Sequence, residues 1–333
     1  MDLFFSLVIP VYNRPDEIRE LLDSLLAQTY QKPYEVVIVE DGSTLSSEDV
    51  VQSFQGRLNI TYLIKENSGP GDSRNFGMRK ANGNYFIILD SDCLLPPHYL
   101  QVVADSLKQT YVDCFGGPDA AHTSFTNVQK AINYAMTSYI TTGGIRGKRS
   151  SVNRFQPRSF NMGISKQAFE STNGFGKIHP GEDPDLSIRL WNEGFETRLI
   201  PEAFVYHKRR VDFKKFYIQV KKFGMVRPIL NLWHPHTAKI TYWFPVLFCV
   251  GFVLAVLLLF FQFYWLLLAY GVYFLAIFLD ALFKNKDVFI AFLSLFSVLI
   301  QFAGYGYGFL KSTILITFSK KDPKELFPTL FFK

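Results

Sequence analysis

The sequence predicts an α/β domain, with a mostly parallel sheet wound with helices, followed by an α-helical membrane region. Over roughly the first 120 residues, short apolar runs alternate with helical patterns, as in a parallel sheet with crossover helices. Residues 1–207 have the charge density of a globular protein, whereas residues 240–318 are almost continuously apolar. The hydrophobic content of 48% is therefore unevenly distributed and marks a boundary between two regions.

The first four predicted strands cover residues 3–11, 34–39, 60–64 and 85–89. After the first strand, Asn13 is placed to cap a helix whose first turn contains Pro15. Acidic residues follow two of the strands, with Asp41 after the second and Asp90 after the fourth. Open α/β sheets bind ligands at the carboxyl ends of their strands, so these acids are candidates for a binding site.

The segment 137–160 loses this periodicity and is rich in glycine, serine and arginine. Long irregular segments in a compact domain are usually functional lids or disordered stretches. Because patterned sequence resumes directly after this segment, we interpret it as a mobile lid over an acceptor site.

A basic segment, residues 208–239, joins the α/β domain to the apolar region. Its basic residues are Lys208, Arg209, Arg210, Lys214, Lys215, Lys221, Lys222, Arg227 and Lys239. Apolar side chains recur at helical spacing in its first half, at Phe213, Phe216, Tyr217 and Val220. This pattern predicts an amphipathic helix in the bilayer interface, with its lysines among the headgroups. The alternative is a surface helix on the core of the α/β domain.

Three membrane spans are predicted in residues 240–318, at 242–261, 265–283 and 288–310, each near the ~20 residues needed to cross the hydrocarbon. A basic tail, residues 319–333, follows them. Three crossings place this tail outside the cell, against the positive-inside rule. Either the third segment is re-entrant around Gly304, Gly306 and Gly308, or the rule fails for this chain.

Composition also bears on compartment and partners. The apolar start lacks a basic residue before it and a small-residue cleavage site after it, so no secretory signal is predicted. The three cysteines are far apart, which argues against a disulfide framework. Basic residues beside an apolar span favour anionic lipids of the cytoplasmic face. We therefore predict a multi-pass protein of the cytoplasmic membrane whose α/β domain faces the cytoplasm, with membrane lipids and not nucleic acid as partners.

Several motifs occur in a specific order along the α/β domain. They are "SLVIPVYNR" on the first strand, "VVIVEDGS" on the second, and "NSGPGDSRNFGMRKANGNYFIILDSD" up to the end of the fourth. Together they resemble a family 2 glycosyltransferase of the GT-A fold, a Rossmann-like architecture, over residues 3–227. The resemblance implies transfer of a sugar from a nucleotide-sugar donor.

The Asp-X-Asp after the fourth strand is the predicted metal site. The resemblance implies that Asp92 is the direct ligand of Mn²⁺ or Mg²⁺, and that Asp90 contacts both the nucleotide and the metal shell. A hard divalent cation held by carboxylate oxygens neutralises the charge that develops on a leaving diphosphate. His207 stands where some GT-A enzymes supply a third ligand, but a surface histidine without a metal explains it equally well.

The nucleotide pocket is assigned from the same resemblance. Asp41 matches the acid that hydrogen-bonds the nucleobase, and Pro10, Tyr12 and Arg74 match positions that line the pocket. Arg74 is also placed to meet a phosphate.

The segment Gly181 to Leu186 resembles the Glu-Asp motif of the family, which implies that Asp183 is the general base, with Glu182 beside it. Independently, Pro184 suits the first turn of a helix, which places Asp183 at the N-cap. A helix amino terminus stabilises an ionised carboxylate, and simple capping is the alternative explanation for Asp183. On the acceptor side the resemblance places three further residues, Asn161, Gly174 and Phe175.

Gln219 and Lys222 lie where processive polysaccharide synthases carry Gln-X-X-Arg-Trp. Lysine and phenylalanine replace the arginine and tryptophan, so bidentate contacts and indole stacking on a glucan are both lost. We keep Gln219, Lys222 and Arg227 as candidate contacts to the diphosphate or the acceptor. Three spans also provide little material for a polymer channel.

These observations predict an inverting, metal-dependent glycosyltransferase that uses a nucleotide sugar, expected to be UDP-linked. The predicted acceptor is membrane-associated, such as a lipid-linked oligosaccharide or a polyprenyl phosphate, in the synthesis of cell-surface polysaccharide or glycolipid. Two alternatives remain open: a processive polysaccharide synthase with coupled export, and a non-catalytic membrane scaffold for a partner glycosyltransferase.

Overall fold

The structure is a computed structural model that describes residues 2–120, 125–142, 155–207, 212–319 and 321–332. These residues form two compact units. The first contains residues 2–120, 155–207 and 331–332, and the second contains residues 125–142, 212–319 and 321–330. The first unit thus differs from the predicted domain 1–207, because residues 125–142 pack with the apolar helices and residues 331–332 return to the α/β unit.

The strands are β1 (Phe5–Val11), β2 (Tyr34–Asp41), β3 (Ile60–Lys65), β4 (Tyr85–Leu89), β5 (Cys93–Leu94), β6 (Cys114–Gly116), β7 (Asp119–Ala120), β8 (Asn161–Ser165), β9 (Thr197–Leu199) and β10 (Val205–His207). The helices are α1 (Pro15–Leu26), α2 (Glu48–Gln52), α3 (Pro70–Lys80), α4 (Tyr99–Gln109), α5 (Asn127–Thr137), α6 (Tyr139–Thr142), α7 (Lys166–Thr172), α8 (Glu182–Asn192), α9 (Phe213–Trp233), α10 (Phe244–Leu258), α11 (Trp265–Asn285), α12 (Val288–Phe318) and α13 (Pro323–Leu326). Short 3-10 helices occupy Pro235–Thr237, Ile240–Trp243, Leu259–Phe261 and Pro328–Leu330.

A seven-stranded sheet in the order β3-β2-β1-β4-β8-β6-β9 forms the centre of the first unit. Strands β3, β2, β1 and β4 are parallel, and β8 runs antiparallel to both β4 and β6. The carboxyl ends of β1, β2 and β4 therefore meet at one edge. A small sheet in the order β5-β10-β7 pairs His207 with Cys93, just after β4. This confirms the predicted α/β class and its first four strands.

Helices cover both faces of the seven-stranded sheet. In β1, Leu7 and Ile9 belong to the core shared with α1, α2 and α4, while Val8 belongs to the core shared with α3, α7 and α8. Strands buried on both faces read as continuous apolar runs, which explains why β1, β2 and β4 were recognisable from sequence.

Three helical segments of the second unit are long and apolar enough to cross a membrane: Ile240–Phe261, Trp265–Asn285 and Val288–Phe318. The third continues without a break through the glycine-rich stretch, so the re-entrant alternative is wrong. Its 31 residues, at about 1.5 Å each, give about 46 Å, which exceeds a hydrocarbon core of about 30 Å.

Glycines bring α9 and α12 into close contact. A Cβ at Gly308 would clash with the Lys221 carbonyl oxygen, and one at Gly224 would clash with the Tyr305 carbonyl oxygen. Small residues let helix backbones approach in this way. The apolar residues Phe216 and Val220 of α9 are consequently buried with residues of α5 and α12. The prediction that this face lies in the bilayer interface is therefore wrong for these two side chains.

Candidate active site

Asp90 and Asp92 follow β4 at the sheet edge where the parallel strands end. His207 Nε2 lies 3.1 Å from Asp92 Oδ1, and Arg14 Nη1 lies 3.5 Å from Asp92 Oδ2. Pairing of β10 with β5 brings His207 to this point, across 115 residues of chain, and its ring stacks on Phe160 at 4.7 Å. The structure thus joins the two residues that the sequence predicted as metal ligands.

Asp92, Cys93 and His207 form a group whose potential ligand atoms all lie within 4.8 Å of one another. Burial raises the pKa of the Cys93 thiol well above its usual value, and the thiol donates to the Phe160 carbonyl oxygen. A protonated thiol does not bind a hard cation, whereas a carboxylate oxygen and an imidazole nitrogen do. The donor set of Asp92 and His207 therefore fits Mn²⁺ or Mg²⁺.

Arg74 connects the aspartates after β4 with the acid pair of α8. Its Nη2 lies 2.7 Å from Asp90 Oδ1, and its Nη1 lies 3.3 Å from Glu182 Oε1. The side chain is 4% exposed, and its guanidinium lies 5.3 Å from the ring centre of Phe175. Burial acts to lower the pKa of Arg74, but Asp90 and Glu182 outweigh it and raise that pKa. Arg74 is thus a fixed positive charge between two carboxylates.

Glu182 and Asp183 are adjacent but have opposite electrostatic surroundings. Burial opposes ionisation of Glu182, yet His179 and Arg74 lower its pKa to about 2. For Asp183, burial and the Glu182 charge raise the pKa to about 6. Asp183 Oδ1 has no hydrogen-bond partner among the described residues. Asp183 is therefore the carboxylate of the pair that is suited to accept a proton.

The helix that presents this pair begins two residues earlier than predicted. Its N-cap is Gly181, with φ of +118°, and Glu182 and Asp183 lie in the first turn. The predicted N-cap position of Asp183 is wrong, so capping does not explain this residue. A first-turn carboxylate still interacts favourably with the helix dipole.

Asp41 lies at the end of β2 as predicted, but its carboxylate is engaged within the protein. Its Oδ1 accepts from Lys65 Nζ at 2.9 Å and from Ser68 N at 3.0 Å, and its Oδ2 accepts from Gly69 N at 3.0 Å. Asp41 thus anchors the loop that leads into α3. Its contact with a nucleobase stays a prediction.

Pro10 and Tyr12 lie at and just beyond the end of β1, and the Tyr12 side chain is 51% exposed. An exposed aromatic ring at this edge is available to stack on a base. Asn13 does not cap α1, because the N-cap is Arg14. The Asn13 carboxamide instead accepts from the backbone N–H groups of Thr44 and Leu45.

The three predicted acceptor-side residues do not line an open surface. Asn161 is fully buried and bonds to Tyr99 and to the Ala203 carbonyl oxygen. Asn75 bonds both backbone polar groups of Phe175, which is 5% exposed, and Arg189 donates to the Gly174 carbonyl oxygen. Their role in shaping the acceptor pocket stays a prediction. They support Arg74 and the sheet.

Gln219, Lys222 and Arg227 all lie on α9 in the second unit, where the Arg227 guanidinium is 4.6 Å from the Tyr242 ring centre. Their contact with a diphosphate or acceptor stays a prediction. Residues 143–154 of the predicted lid lie outside the described residues.

Sequence reasoning missed three side chains of the site. His179 Nδ1 lies 2.8 Å from Glu182 Oε1, Lys65 bonds Asp41, and Arg14 faces Asp92. His179 is three residues before Glu182, a spacing that offered a signal. The other two contacts form across the sheet edge and had no local pattern.

The chain matches the model of the family described as "Glycosyl transferase family 2" over residues 6–171. Glycosyltransferase AglE of Haloferax volcanii is 32% identical over 211 residues, which cover 62% of this chain and 67% of that protein. The uncharacterized glycosyltransferase RT0329 of Rickettsia typhi is 41% identical over 96 residues, 29% of this chain and 29% of that protein. The match thus spans less than a third of the length of RT0329.

Among solved structures, the mannosyltransferase PcManGT from Pyrobaculum calidifontis, in complex with GDP-Man and Mn²⁺, has a TM-score of 0.58 with this chain. The identity is 15%, and the match covers 96% of this chain and 89% of that one. At this identity the likeness concerns the fold, and it confirms the predicted GT-A architecture.

Proposed function

The chain belongs to glycosyl transferase family 2, and we propose that it transfers a sugar, with inversion, from a nucleotide sugar to an acceptor hydroxyl. The observation that carries this proposal is the state of the acid pair. Asp183 has a raised pKa and an oxygen without a partner among the described residues, while Glu182 next to it is held ionised by His179 and Arg74.

In the proposed reaction, Asp183 takes the proton of the acceptor hydroxyl while the hydroxyl oxygen attacks the anomeric carbon of the donor sugar. The new carbon–oxygen bond forms on the face opposite the departing diphosphate, which inverts the anomeric centre. His179 and Arg74 hold Glu182 in place beside the base, so that Asp183 meets its substrate without reorganisation.

Asp92 and His207 would hold the divalent cation, with Asp90 beside them. When bound, Mn²⁺ or Mg²⁺ would neutralise charge on the leaving diphosphate. The Mn²⁺ and GDP-Man in the complex of PcManGT support a metal and a nucleotide sugar for this fold. Arg14, 3.5 Å from Asp92, offsets part of the negative charge of the site.

For the donor we propose a UDP-sugar, with Tyr12 and Pro10 against the base and Asp41 at its edge. Asp41 would act through the loop that it anchors, because Ser68 N, Gly69 N and Lys65 already occupy its carboxylate. A GDP-sugar is the competing donor, and a screen of donors distinguishes the two.

For the acceptor we propose a lipid-linked oligosaccharide at the cytoplasmic membrane, whose sugar hydroxyl supplies the attacking oxygen, on the path to a cell-surface polysaccharide or glycolipid; a polyprenyl phosphate is the alternative acceptor. Three helices are long and apolar enough to cross a membrane. On α9, Arg227 Nη1 and Asn231 Oδ1 are buried and have no hydrogen-bond partner in the described part of the chain. The Arg227 guanidinium also interacts with the Tyr305 side chain and lies over the Tyr242 ring, and a lipid phosphate would give it an anionic partner.

A donor screen with the purified full chain tests the enzyme proposal. With Mn²⁺ or Mg²⁺ and a membrane lipid extract, we expect release of nucleoside diphosphate from one UDP-sugar well above the others. Turnover of a GDP-sugar alone would replace the donor assignment. If no donor is turned over, with or without lipid, the enzyme proposal is contradicted and the scaffold alternative is favoured. If the chain alone makes long polymer, the processive synthase is favoured.

The metal site is tested by Asp92→Asn, which keeps the side-chain volume and removes the charge. We expect weaker UDP binding in the presence of Mn²⁺, by about tenfold or more, and unchanged binding in EDTA, measured by titration calorimetry. Asp23→Asn, an exposed position on α1, is the matched control. Metal-dependent binding equal to that of the parent would remove Asp92 from the metal site.

A further inference from the structure

Phe331 and Phe332 pack on the first unit, beside the segment that leads into the acid pair. Phe331 forms an antiparallel bridge with Ile178, and Phe332 N donates to the Lys177 carbonyl oxygen at 3.1 Å. Both contacts use main-chain atoms. The position of this two-residue segment therefore does not depend on which side chain stands at 332, and a substitution there isolates the contribution of the ring.

One side of the Phe332 ring contacts the loop that Asp41 anchors. Gly69 has φ of +94°, and a Cβ at that position would overlap the Phe332 ring. The Gly69 N–H donates to Asp41 Oδ2 at 3.0 Å. Glycine is thus required at 69 both by the backbone conformation and by the close approach of the ring. The ring covers the turn that begins α3, the helix that carries Arg74.

On its other side, the Phe332 ring contacts His179, with ring centroids 5.6 Å apart and planes inclined at 44°. His179 Nδ1 lies 2.8 Å from Glu182 Oε1, and Arg74 Nη1 lies 3.3 Å from the same oxygen. The His179 side chain is 40% exposed, so burial alone does not fix its rotamer. The ring of Phe332 restricts the imidazole to the position from which it reaches Glu182.

We propose that Phe332 is a positioning residue of the sugar-transfer site, which holds His179 against Glu182 and fixes the Gly69 turn. This inference rests on the proposed function. The ring touches neither the acids nor Arg74 in the described contacts, so it acts through His179 and Gly69. Its loss leaves Glu182 with Arg74 but without a fixed imidazole, and the geometry of the acid pair becomes less well defined.

The test is a double-mutant cycle on the full chain, with Phe332→Ala, His179→Ala and the double variant. An aromatic contact of this kind corresponds to about a threefold to tenfold change in rate, so we expect kcat of Phe332→Ala to fall by that factor. Because Phe332 acts through His179 as well as Gly69, the double variant is expected to lose less kcat than the product of the two single losses. Phe332→Tyr keeps the ring and is expected to restore the parent kcat.

Thr329→Ala is the matched control, because Thr329 is an exposed neighbour of the same segment. Phe332→Leu with His179→Gln forms a milder cycle, with the same expected coupling, should the alanine variants unfold. Additive losses in the cycle, or a Thr329→Ala loss equal to that of Phe332→Ala, would overturn the proposal. A faster Phe332→Ala enzyme would also overturn it and would show that the ring obstructs the site.

The same assay separates this inference from the proposed function. Asp183→Asn is measured beside the Phe332 variants. Turnover that is insensitive to Asp183→Asn removes the proposed function itself. An inactive Asp183→Asn together with a parent-like Phe332→Ala removes only the role of Phe332.

Discussion

Asp280 in the second unit and Asp183 in the first are both partly buried carboxylates, and they differ in the hydrogen-bond donors around them. In the second unit, Asp280 Oδ2 accepts from Tyr134 at 2.7 Å, from Ser138 at 3.0 Å and from Lys284 at 2.8 Å. In the first unit, the Asp183 carboxylate has a hydrogen bond with the Ser159 side chain, but its Oδ1 has no donor within the described ranges. A carboxylate in an apolar helix normally accepts several hydrogen bonds, as Asp280 does. The difference separates an acid that holds helices together from one that is available for chemistry.

The same contrast occurs between the two neighbouring residues of the acid pair. Glu182 is paired with both His179 and Arg74, which hold it ionised, whereas the pKa of Asp183 is raised to about 6. Two adjacent carboxylates with separated pKa values can take different roles. The family resemblance implies Asp183 as the general base with Glu182 beside it, and the charges around the two residues support that choice.

The largest expected effect is on Asp183→Asn. Loss of the general base is expected to lower turnover by roughly 10²-fold to 10⁴-fold while donor binding is retained, because the amide keeps the shape but cannot accept the proton. Product release and UDP binding measure the two quantities separately. An Asp183→Asn variant that turns over at the parent rate would contradict this difference, because Asp183 would then be a structural acid like Asp280.

The pH dependence of turnover sharpens the contrast without a mutation. The base must be ionised to act, so its raised pKa predicts that kcat/KM rises with pH up to about 6 and is level above it. Below that value the rate is expected to fall about tenfold per pH unit. Because Asp183 and Glu182 interact, the apparent pKa belongs to the pair. A profile that is flat between pH 4.5 and 7 would contradict this assignment.

Asp280→Leu is expected to lower stability and leave turnover unchanged, which is the reverse of the effect expected for Asp183→Asn. The change removes an acceptor of the Tyr134 and Ser138 hydroxyls, at about 1–3 kcal/mol of unfolding free energy. Tyr134 keeps a second acceptor, the Ile277 carbonyl oxygen at 3.2 Å. Thermal unfolding of the detergent-solubilised chain measures the loss. Donor hydrolysis per folded molecule is expected to remain at the parent level, and a specific loss of turnover at full stability would give Asp280 a role in catalysis.

An effect of similar size is expected at the contact of α9 with α12. Gly308→Ala inserts a Cβ against the Lys221 carbonyl oxygen, and overpacking of this kind costs about 1–3 kcal/mol of unfolding free energy. Gly271→Ala on α11 is the matched control, because a Cβ there meets nothing within 4 Å. Equal melting temperatures for the two variants would show that α9 and α12 move apart without penalty.

Most of the fold was predictable because its elements carry local patterns. Strand β4 was predicted at its observed bounds, since all five of its residues are buried and apolar. The ends of elements were less predictable. Asn13 is a good capping residue, yet Thr44 and Leu45, which are distant in sequence, compete for its carboxamide. Gly181 rather than Asp183 begins α8 because the chain enters it with positive φ.

Most residues of the candidate site were predictable from the sequence, but their exposure and hydrogen-bond partners were not. Asn161 and Phe175 are predicted to shape the acceptor pocket because they lie in a family-like segment, and the structure shows that both are buried. Asp41 is predicted to hydrogen-bond the nucleobase, and in the structure backbone N–H groups of the loop after β3 donate to its carboxylate. Exposure and partners of a side chain depend on groups from elsewhere in the chain, which no local pattern records.

The sequence by itself determined the α/β class, the apolar helices and the positions of Asp90, Asp92 and Asp183. Those features follow from burial patterns and motifs that extend over a few residues. The fold sets the different states of the two acids: His179 and Arg74 come from separate segments to pair with Glu182, while Asp183 Oδ1 has no partner among the described residues. Charges act over a few ångströms in space, and the fold determines which charges are within that distance.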